Sequence, residues 1–332
     1  MLIDILWLIG SLVVILLGCE LFTNGIEWTG KKLQLSEGLV GSVLAAVGTA
    51  LPETLIPIIA IIFSNNTESV QVGIGAIAGA PFMLSTLAFF VSGIAVVIYA
   101  FMKKRDSELK INSKVITTDL LFFLISYSIA IGVSFLHIRL VNIIVACLLT
   151  LSYGYYLWLT LQHEGVISHE LDVLHFSRNT PTPRLRIVGV QVLTGLAFIV
   201  IGAHFFVESL IETAKIFSIS PLILSLILTP VATELPEKMN SVIWLGKGRD
   251  TMAIGNITGA MVFQGSFPVA FGMAFTPWNI SHSTMASAVL AITSSAYFYF
   301  MLKKNGALHF RDLLFGGIAY AGFIIYVFFI NG

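Results

Sequence analysis

Two six-residue segments of this chain carry the same chemistry. Gly48-Thr49-Ala50-Leu51-Pro52-Glu53 and Ala232-Thr233-Glu234-Leu235-Pro236-Glu237 each place Thr-x-x-Pro-Glu inside an otherwise apolar run. A carboxylate in such surroundings is costly and marks a functional path. A proline within a helix lacks the N–H that would bond the carbonyl one turn back, so that carbonyl is left free. Thr and Glu four apart share one helix face. Each segment therefore offers a carboxylate, a hydroxyl and a carbonyl, the oxygen ligands that a hard cation takes. Two such half-sites face to face would hold one divalent ion against two negative charges.

The elements that position these segments are hydrophobic helices. The chain is 57% hydrophobic and 11% charged, with a mean hydropathy of +0.92. A soluble domain of 332 residues has too little interior for that, so the composition specifies a polytopic membrane protein. No basic patch with interleaved aromatics is present, which argues against nucleic acid as a partner; the bilayer and inorganic cations are the partners expected. Cys19 and Cys147 both lie in apolar runs and read as packed thiols rather than a disulfide. The first run lacks a basic n-region and a small-residue cleavage site, and reads as a retained helix.

Apolar runs long enough to span fall at 3–28, 38–63, 72–102, 115–135, 140–161, 187–212, 221–245, 252–275, 284–302 and 312–330. Lys and Arg cluster in alternate connections: Lys31 and Lys32; Lys103 to Lys114; Arg178, Arg184 and Arg186; Lys247 and Arg249; Lys303, Lys304 and Arg311. Arg139 and Lys215 are the exceptions. The positive-inside rule puts the basic loops in the cytoplasm and both termini outside, in what reads as the plasma membrane of a prokaryote. The sizeable connection, His163 to Arg186, reads as a hydrophilic cytoplasmic linker. His163, His169 and His175 are spaced six apart, which suits a solvated loop better than a metal cluster.

The two halves repeat. Leu21–Glu53 aligns with Phe205–Glu237 without a gap, giving ten identities in 33 positions, Thr49/Thr233, Pro52/Pro236 and Glu53/Glu237 among them. Downstream, Ile74-Gly75-Ala76-Ile77-Ala78-Gly79-Ala80 matches Ile254-Gly255-Asn256-Ile257-Thr258-Gly259-Ala260. With five spans per half, the second copy must enter the membrane from the opposite side, an inverted-topology repeat of the kind secondary transporters use. The fold expected is thus all-α, ten transmembrane helices in two inverted five-helix repeats: residues 1–162 (first repeat motif about 37–102), linker 163–186, and residues 187–332 (second repeat motif about 221–275).

These residues resemble the two alpha-repeats of the calcium/cation antiporter superfamily, the sodium/calcium exchangers, and the likeness covers essentially the whole membrane part of the chain. That family carries Gly-Thr-Ser-x-Pro-Glu on the second helix and a relative of it on the seventh, with Gly-Asn-x-x-Gly-Ser-Asn on the third and eighth. The resemblance implies that Thr49, Glu53, Thr233 and Glu237 bind Ca2+ at mid-membrane, that sodium sites flank them, and that the first and sixth helices slide against the other eight. This chain departs from the motifs at Ala50 and Glu234 (family Ser), at Ala76, Ala80 and Pro81 on the third helix, and at Ala260 and Met261 on the eighth. Leu84 and Gln264 stand where the family often has Asn and Asp. The calcium-type centre is kept, while several hydroxyl and amide positions of the sodium sites are not.

Four further residues border the expected cavity: Glu234, Lys238, Asn256 and Gln264. Glu234 and Lys238 stand four apart, Glu first, an orientation that favours an ion pair. The Lys238 ammonium would then stand in for a transported cation; the alternative is a lysine snorkelling to an interface. Gln264 reads as a neutral ligand or an interhelical clasp. Gly75, Gly79, Gly255 and Gly259 read as close-packing positions. Glu20, Glu27, Glu208, Glu212 and Asp119 read as interfacial. The function expected is secondary-active exchange of Ca2+ for Na+ by alternating access, working as a monomer without cofactor. Proton-coupled exchange is the alternative, and a channel or ion sensor is the competing class. No nucleophile–base pair or His-x-x-x-His motif points to an enzyme.

Overall fold

The computed structural model describes residues 2–33, 50–63, 66–161, 172–178, 180 and 182–331, the side chains of residues 2, 51, 161, 235–237, 328, 330 and 331 aside. It is helical almost throughout, with one isolated bridge, Glu108 to His309. Among the described residues, eight stretches are long and apolar enough to cross a membrane. Of the other two expected spans, 221–245 is one continuous helix, Pro221–Gly246, and of 38–63 only residues 50–63 are among those described. The chain divides into two compact units, residues 1–69 with 154–218, and residues 70–153 with 219–332.

The first unit holds α1 (Leu2–Lys32), α2 (Leu51–Ile58) and α7 (Leu185–Ile216). α1 and α7 lie antiparallel in backbone contact. A Cβ on Gly18 would stand 2.9 Å from the Gly195 carbonyl, one on Gly195 2.7 Å from the Phe22 nitrogen, and one on Gly202 3.1 Å from the Ser11 carbonyl. Small residues permit that approach and convert it into van der Waals contact along both backbones. Pro57 sits inside α2, and a π-helical turn, Ile59–Phe63, follows it. A missing N–H at proline is a common cause of such a local widening.

The linker end of this unit is docked rather than solvated. Leu174 is buried against Trp28 and Val188. The Trp28 indole donates to the Asp172 carbonyl (2.9 Å), and the Gln191 amide donates to Leu21 O and Asn24 Oδ1 (both 2.9 Å). His175 lies 3.3 Å from Glu20. His175 thus has a side-chain partner, whereas the sequence pattern read as a free loop; His163 and His169 lie outside the described residues.

The second unit is built from most of α3 (Thr67–Met83, its first three residues belonging to the first unit), a π turn (Leu84–Ala88), α4 (Phe89–Phe101), α5 (Ser113–Val133), most of α6 (Arg139–Leu161), α8 (Pro221–Gly246), α9 (Asp250–Gln264), α10 (Phe267–Phe275), α11 (His282–Asn305) and α12 (Phe310–Asn331). α3 runs parallel to α8, and two of the close-packing glycines do what their spacing predicts. A Cβ on Gly75 would lie 2.3 Å from Leu222 O, and one on Gly79 2.1 Å from Leu226 O. Pro230 lacks the N–H that would otherwise bond the Leu226 carbonyl, so that oxygen is exposed to its neighbour. Gly255 has more room, the nearest atom being Ile116 Cδ1 at 3.9 Å.

Loops at each end of this unit are cross-tied. At one end Arg105 forks onto Asp250 (2.7 and 2.8 Å), the Lys110 amide donates to the same carboxylate (2.7 Å), and the Leu109 amide reaches Leu308 O (3.3 Å). At the other, Arg139 donates to the carbonyls of Met273 (2.9 Å), Thr276 (2.7 Å) and Ala274, closing the C-terminus of α10. The Trp278 indole donates to Ala130 O (3.0 Å). Arg139, one exception to the loop charge pattern, thus caps a helix end. The other, Lys215, is neutralised in the first unit by Glu68 (3.1 Å) and Glu212 (3.0 Å).

Candidate functional site

Glu53 stands in the first turn of α2, half-buried and directly after Pro52. Pro52 occupies a first-turn position, where its missing N–H costs nothing. The Ala50 carbonyl accepts both the Thr54 hydroxyl (2.6 Å) and the Thr54 amide (3.2 Å). Thr49, the hydroxyl partner expected for Glu53, lies outside the described residues.

In the second unit, α8 presents a buried polar file. Ser225, Thr229 and Thr233 follow one another at one-turn spacing, each 1% exposed or less. Ser225 donates to Val72 O on α3 (2.7 Å) and shares a hydrogen bond with Thr229 (3.0 Å); the Thr233 hydroxyl donates to Thr229 O (3.0 Å). Thr233 thus has its hydroxyl proton placed on its own backbone, which leaves its oxygen lone pairs as acceptors or ligands. The helix continues through Pro236, which denies the Ala232 carbonyl its usual partner. The Glu237 side chain lies outside the described residues.

Glu234 is fully buried and Lys238 is 4% exposed. The Lys238 ammonium donates to the backbone oxygen of Asn256 on α9 (3.4 Å), and the Asn256 amide donates to Ser241 on α8 (3.0 Å). Lys238 and Asn256, singled out separately in the sequence, are therefore brought together, and Ser241 joins them. Gln264 is buried at the end of α9, and its amide nitrogen has no hydrogen-bond partner among the described residues. No three His, Cys, Asp or Glu side chains converge on one point among the described residues. Along α8 and α9 stand buried hydroxyls, a carboxyl group, a lysine amine and a neutral amide, and the two helices meet where Lys238 and Ser241 contact Asn256. Such a donor set suits hard cations and offers nothing for soft metals.

The sequence matches the sodium/calcium exchanger proteins over residues 3–162 and 187–331. The chain belongs to that family. Its members are transporters, not enzymes. The sodium/calcium exchanger MaX1 of Methanosarcina acetivorans is 23% identical over 321 residues, covering 85% of this chain and 86% of MaX1. Among solved structures, the H+/Ca2+ exchanger CAX superposes with a TM-score of 0.74 at 15% identity, over 99% of this chain and 84% of CAX. The sodium-calcium exchanger NCX_Mj, soaked with Na+ and Sr2+, gives 0.57 at 19% identity over 98% of both chains. The likeness to these solved folds runs over nearly the whole chain.

One acid of this exchanger differs from its sequence reading. Asp119 was expected at an interface because it lies near the start of α5. It is instead 5% exposed and accepts a hydrogen bond from Thr258 on α9 (2.6 Å). The visible signal was a lone Asp inside an apolar run; its partner, 139 positions away, follows only from the packing of α5 on α9. Neither Cys19 nor Cys147 is in a disulfide, as expected; Cys19 is buried as a packed thiol would be, whereas Cys147 is exposed.

Proposed function

We propose that this exchanger moves Ca2+ against a monovalent cation, Na+ by family default, by alternating access. Thr49, Glu53, Thr233 and Glu237 form the calcium site, and Glu234, Lys238, Asn256 and Gln264 border it. The observation that carries the reading is the repeated Thr-x-x-Pro-Glu, once in each segment that matches the exchanger family. Two carboxylates balance one divalent ion, and threonine hydroxyls with proline-freed carbonyls complete a flexible oxygen shell, which favours Ca2+ over the stricter octahedron of Mg2+.

Proton coupling is the second reading, favoured by one observation. Hydroxyl and amide positions of the sodium sites are replaced here while Glu234, Lys238 and Asp119 are buried ionisable groups. The architecture proposed is ten spans in two inverted repeats, 1–162 and 187–332, joined by the cytoplasmic linker 163–186, with both termini outside and a monomer as the working form. Helix directions support it: α1 antiparallel to α7, and α3 parallel to α8, are what five-span inversion requires. The basic loops containing Arg105, Asp250 and Leu308 meet at one end of the second unit, which supports a common side for them. Moving parts in this reading are α1 and α7, already joined backbone to backbone.

The test is Glu53→Gln and Glu237→Gln in purified protein. Each removes one of two negative charges from a poorly screened site, so calcium binding weakens by at least tenfold and transport stops. Wild-type calcium affinity in both variants would remove the proposed site.

A further inference from the structure

We infer that Lys238 is a built-in counter-ion of the transport core, so that one Ca2+ exchanges for two monovalent cations and the cycle moves no net charge. The inference rests on the exchanger reading and fixes the charge balance of that site.

The acid and the base enter the sequence together. In the register that aligns Thr49 with Thr233 and Glu53 with Glu237, Glu234 and Lys238 fall on Ala50 and Thr54. The second half thus gains one negative and one positive charge, one turn apart, and the first half gains neither. Among the described residues of the second unit, every other Lys and Arg lies in a loop or within two residues of a helix end. Lys238 is inside α8.

Packing puts both groups in the core. Glu234, Lys238 and Ser241 follow at i, i+4 and i+7, which is one face of a helix. Lys238 and Ser241 both touch Asn256, so that face of α8 is turned to α9. Glu234 is fully buried and Lys238 nearly so. Lys238 lies about 26 Å from the start of α8 and about 12 Å from its end, and Asn256 lies about 9 Å into α9. A snorkelling lysine ends in water. This ammonium ends on the Asn256 carbonyl, 3.4 Å away. Asp119 is bonded by Thr258, two residues and roughly 200° further round α9 from Asn256, and stands outside this group.

Charge then sets the ion count. A charge closed off in a low-polarity core and left unbalanced is costly, so occlusion is favoured when the charges sum to zero. The calcium site proposed above carries two negative charges, on Glu53 and Glu237. Glu234 adds a third, which Ca2+ alone would leave unbalanced and which the return leg would meet with a third monovalent ion. The Lys238 ammonium cancels it. What remains is matched by one Ca2+ on one leg and by two monovalent cations on the other. No bond is made or broken, and equal charge crosses in each direction.

The test uses the full chain in proteoliposomes. Calcium accumulation is read at its plateau under graded outward gradients of sodium, and in parallel of protons, with the membrane potential clamped by potassium and valinomycin. In the wild type it should rise as the square of the driving ion's ratio. It should also stay within about twofold when about 100 mV is imposed, where one uncompensated charge would shift it about 50-fold. Lys238→Met leaves the third negative charge without this counter-ion. Accumulation then becomes sensitive to potential, or uptake comes to need a monovalent cation on the calcium side as well. Glu234→Gln together with Lys238→Met removes both charges and should return the square law and the indifference to potential, which a merely structural lysine would not do. Potential-sensitive accumulation in the wild type, an unaltered ion dependence in Lys238→Met, or an altered one that persists in the double variant would each overturn the inference and leave the exchanger reading standing. Calcium movement indifferent to every monovalent gradient would instead fail the exchanger reading itself. The wild-type plateau decides the stoichiometry without any variant, so a Lys238→Met protein that fails to fold does not shield the inference.

Discussion

Replacing Arg105 with Ala should destabilise the second unit by about 2–4 kcal/mol. Arg105 forms a two-pronged bond to Asp250, and the two side chains are 6% and 2% exposed, so the discount that applies to surface ion pairs does not apply here. The same guanidinium also donates to the carbonyls of Leu245 (2.9 Å), Asp106 (2.9 Å) and Glu108 (3.2 Å). Removing one partner of a buried pair costs about 3–5 kcal/mol, because the remaining charge is stranded. Asp250 would keep the Lys110 amide (2.7 Å) and its place in the first turn of α9, where the helix dipole offsets about 1 kcal/mol. For a unit of this size each kcal/mol shifts Tm by about 2–4 °C, so a fall of roughly 10 °C is expected by circular dichroism in detergent. Arg105→Met combined with Asp250→Leu should recover part of the loss, since no charge is then stranded. A single-variant shift under about 2 °C, additive with Asp250→Leu, would refute the reasoning.

Lys238→Met removes an ammonium held on the Asn256 carbonyl, in a helix that also buries Glu234. Calcium flux should become more dependent on sodium or on pH, because a mobile cation must now supply that charge; unchanged rate, sodium dependence and pH profile would make Lys238 a bystander. Cysteine substituted at Ser281 should react with an impermeant thiol reagent from outside intact cells, and one at Ser107 should not. The opposite pattern would reject the assigned sidedness.

Much of the helical framework was legible because it rests on local rules. Apolar runs set the spans, and Gly75 and Gly79, spaced one turn apart, specified a backbone contact that the packing on Leu222 and Leu226 fulfils. Thr-x-x-Pro-Glu marked a candidate site through residue types that are costly in lipid. What escaped depends on partners distant in sequence. Asp119 reads as interfacial until Thr258 is brought against it, and His175 reads as solvated until Glu20 and Asn24 receive it. Lys238 pointed by spacing to Glu234, and the fold gives its ammonium the Asn256 carbonyl across the helix interface. Arg139 and Lys215 violated the charge pattern only until their carbonyl and carboxylate partners were known. In each case the missing information is which helix packs beside which.

The central claim is coupled exchange, and one measurement addresses it directly. Calcium uptake into proteoliposomes of the purified protein is followed with sodium, potassium or proton gradients imposed in turn. The account predicts calcium accumulation above its own equilibrium when an outward sodium or proton gradient is present, and none when that gradient is collapsed. Calcium that only runs down its own gradient, at a rate indifferent to every monovalent ion, would contradict it and make the protein a channel.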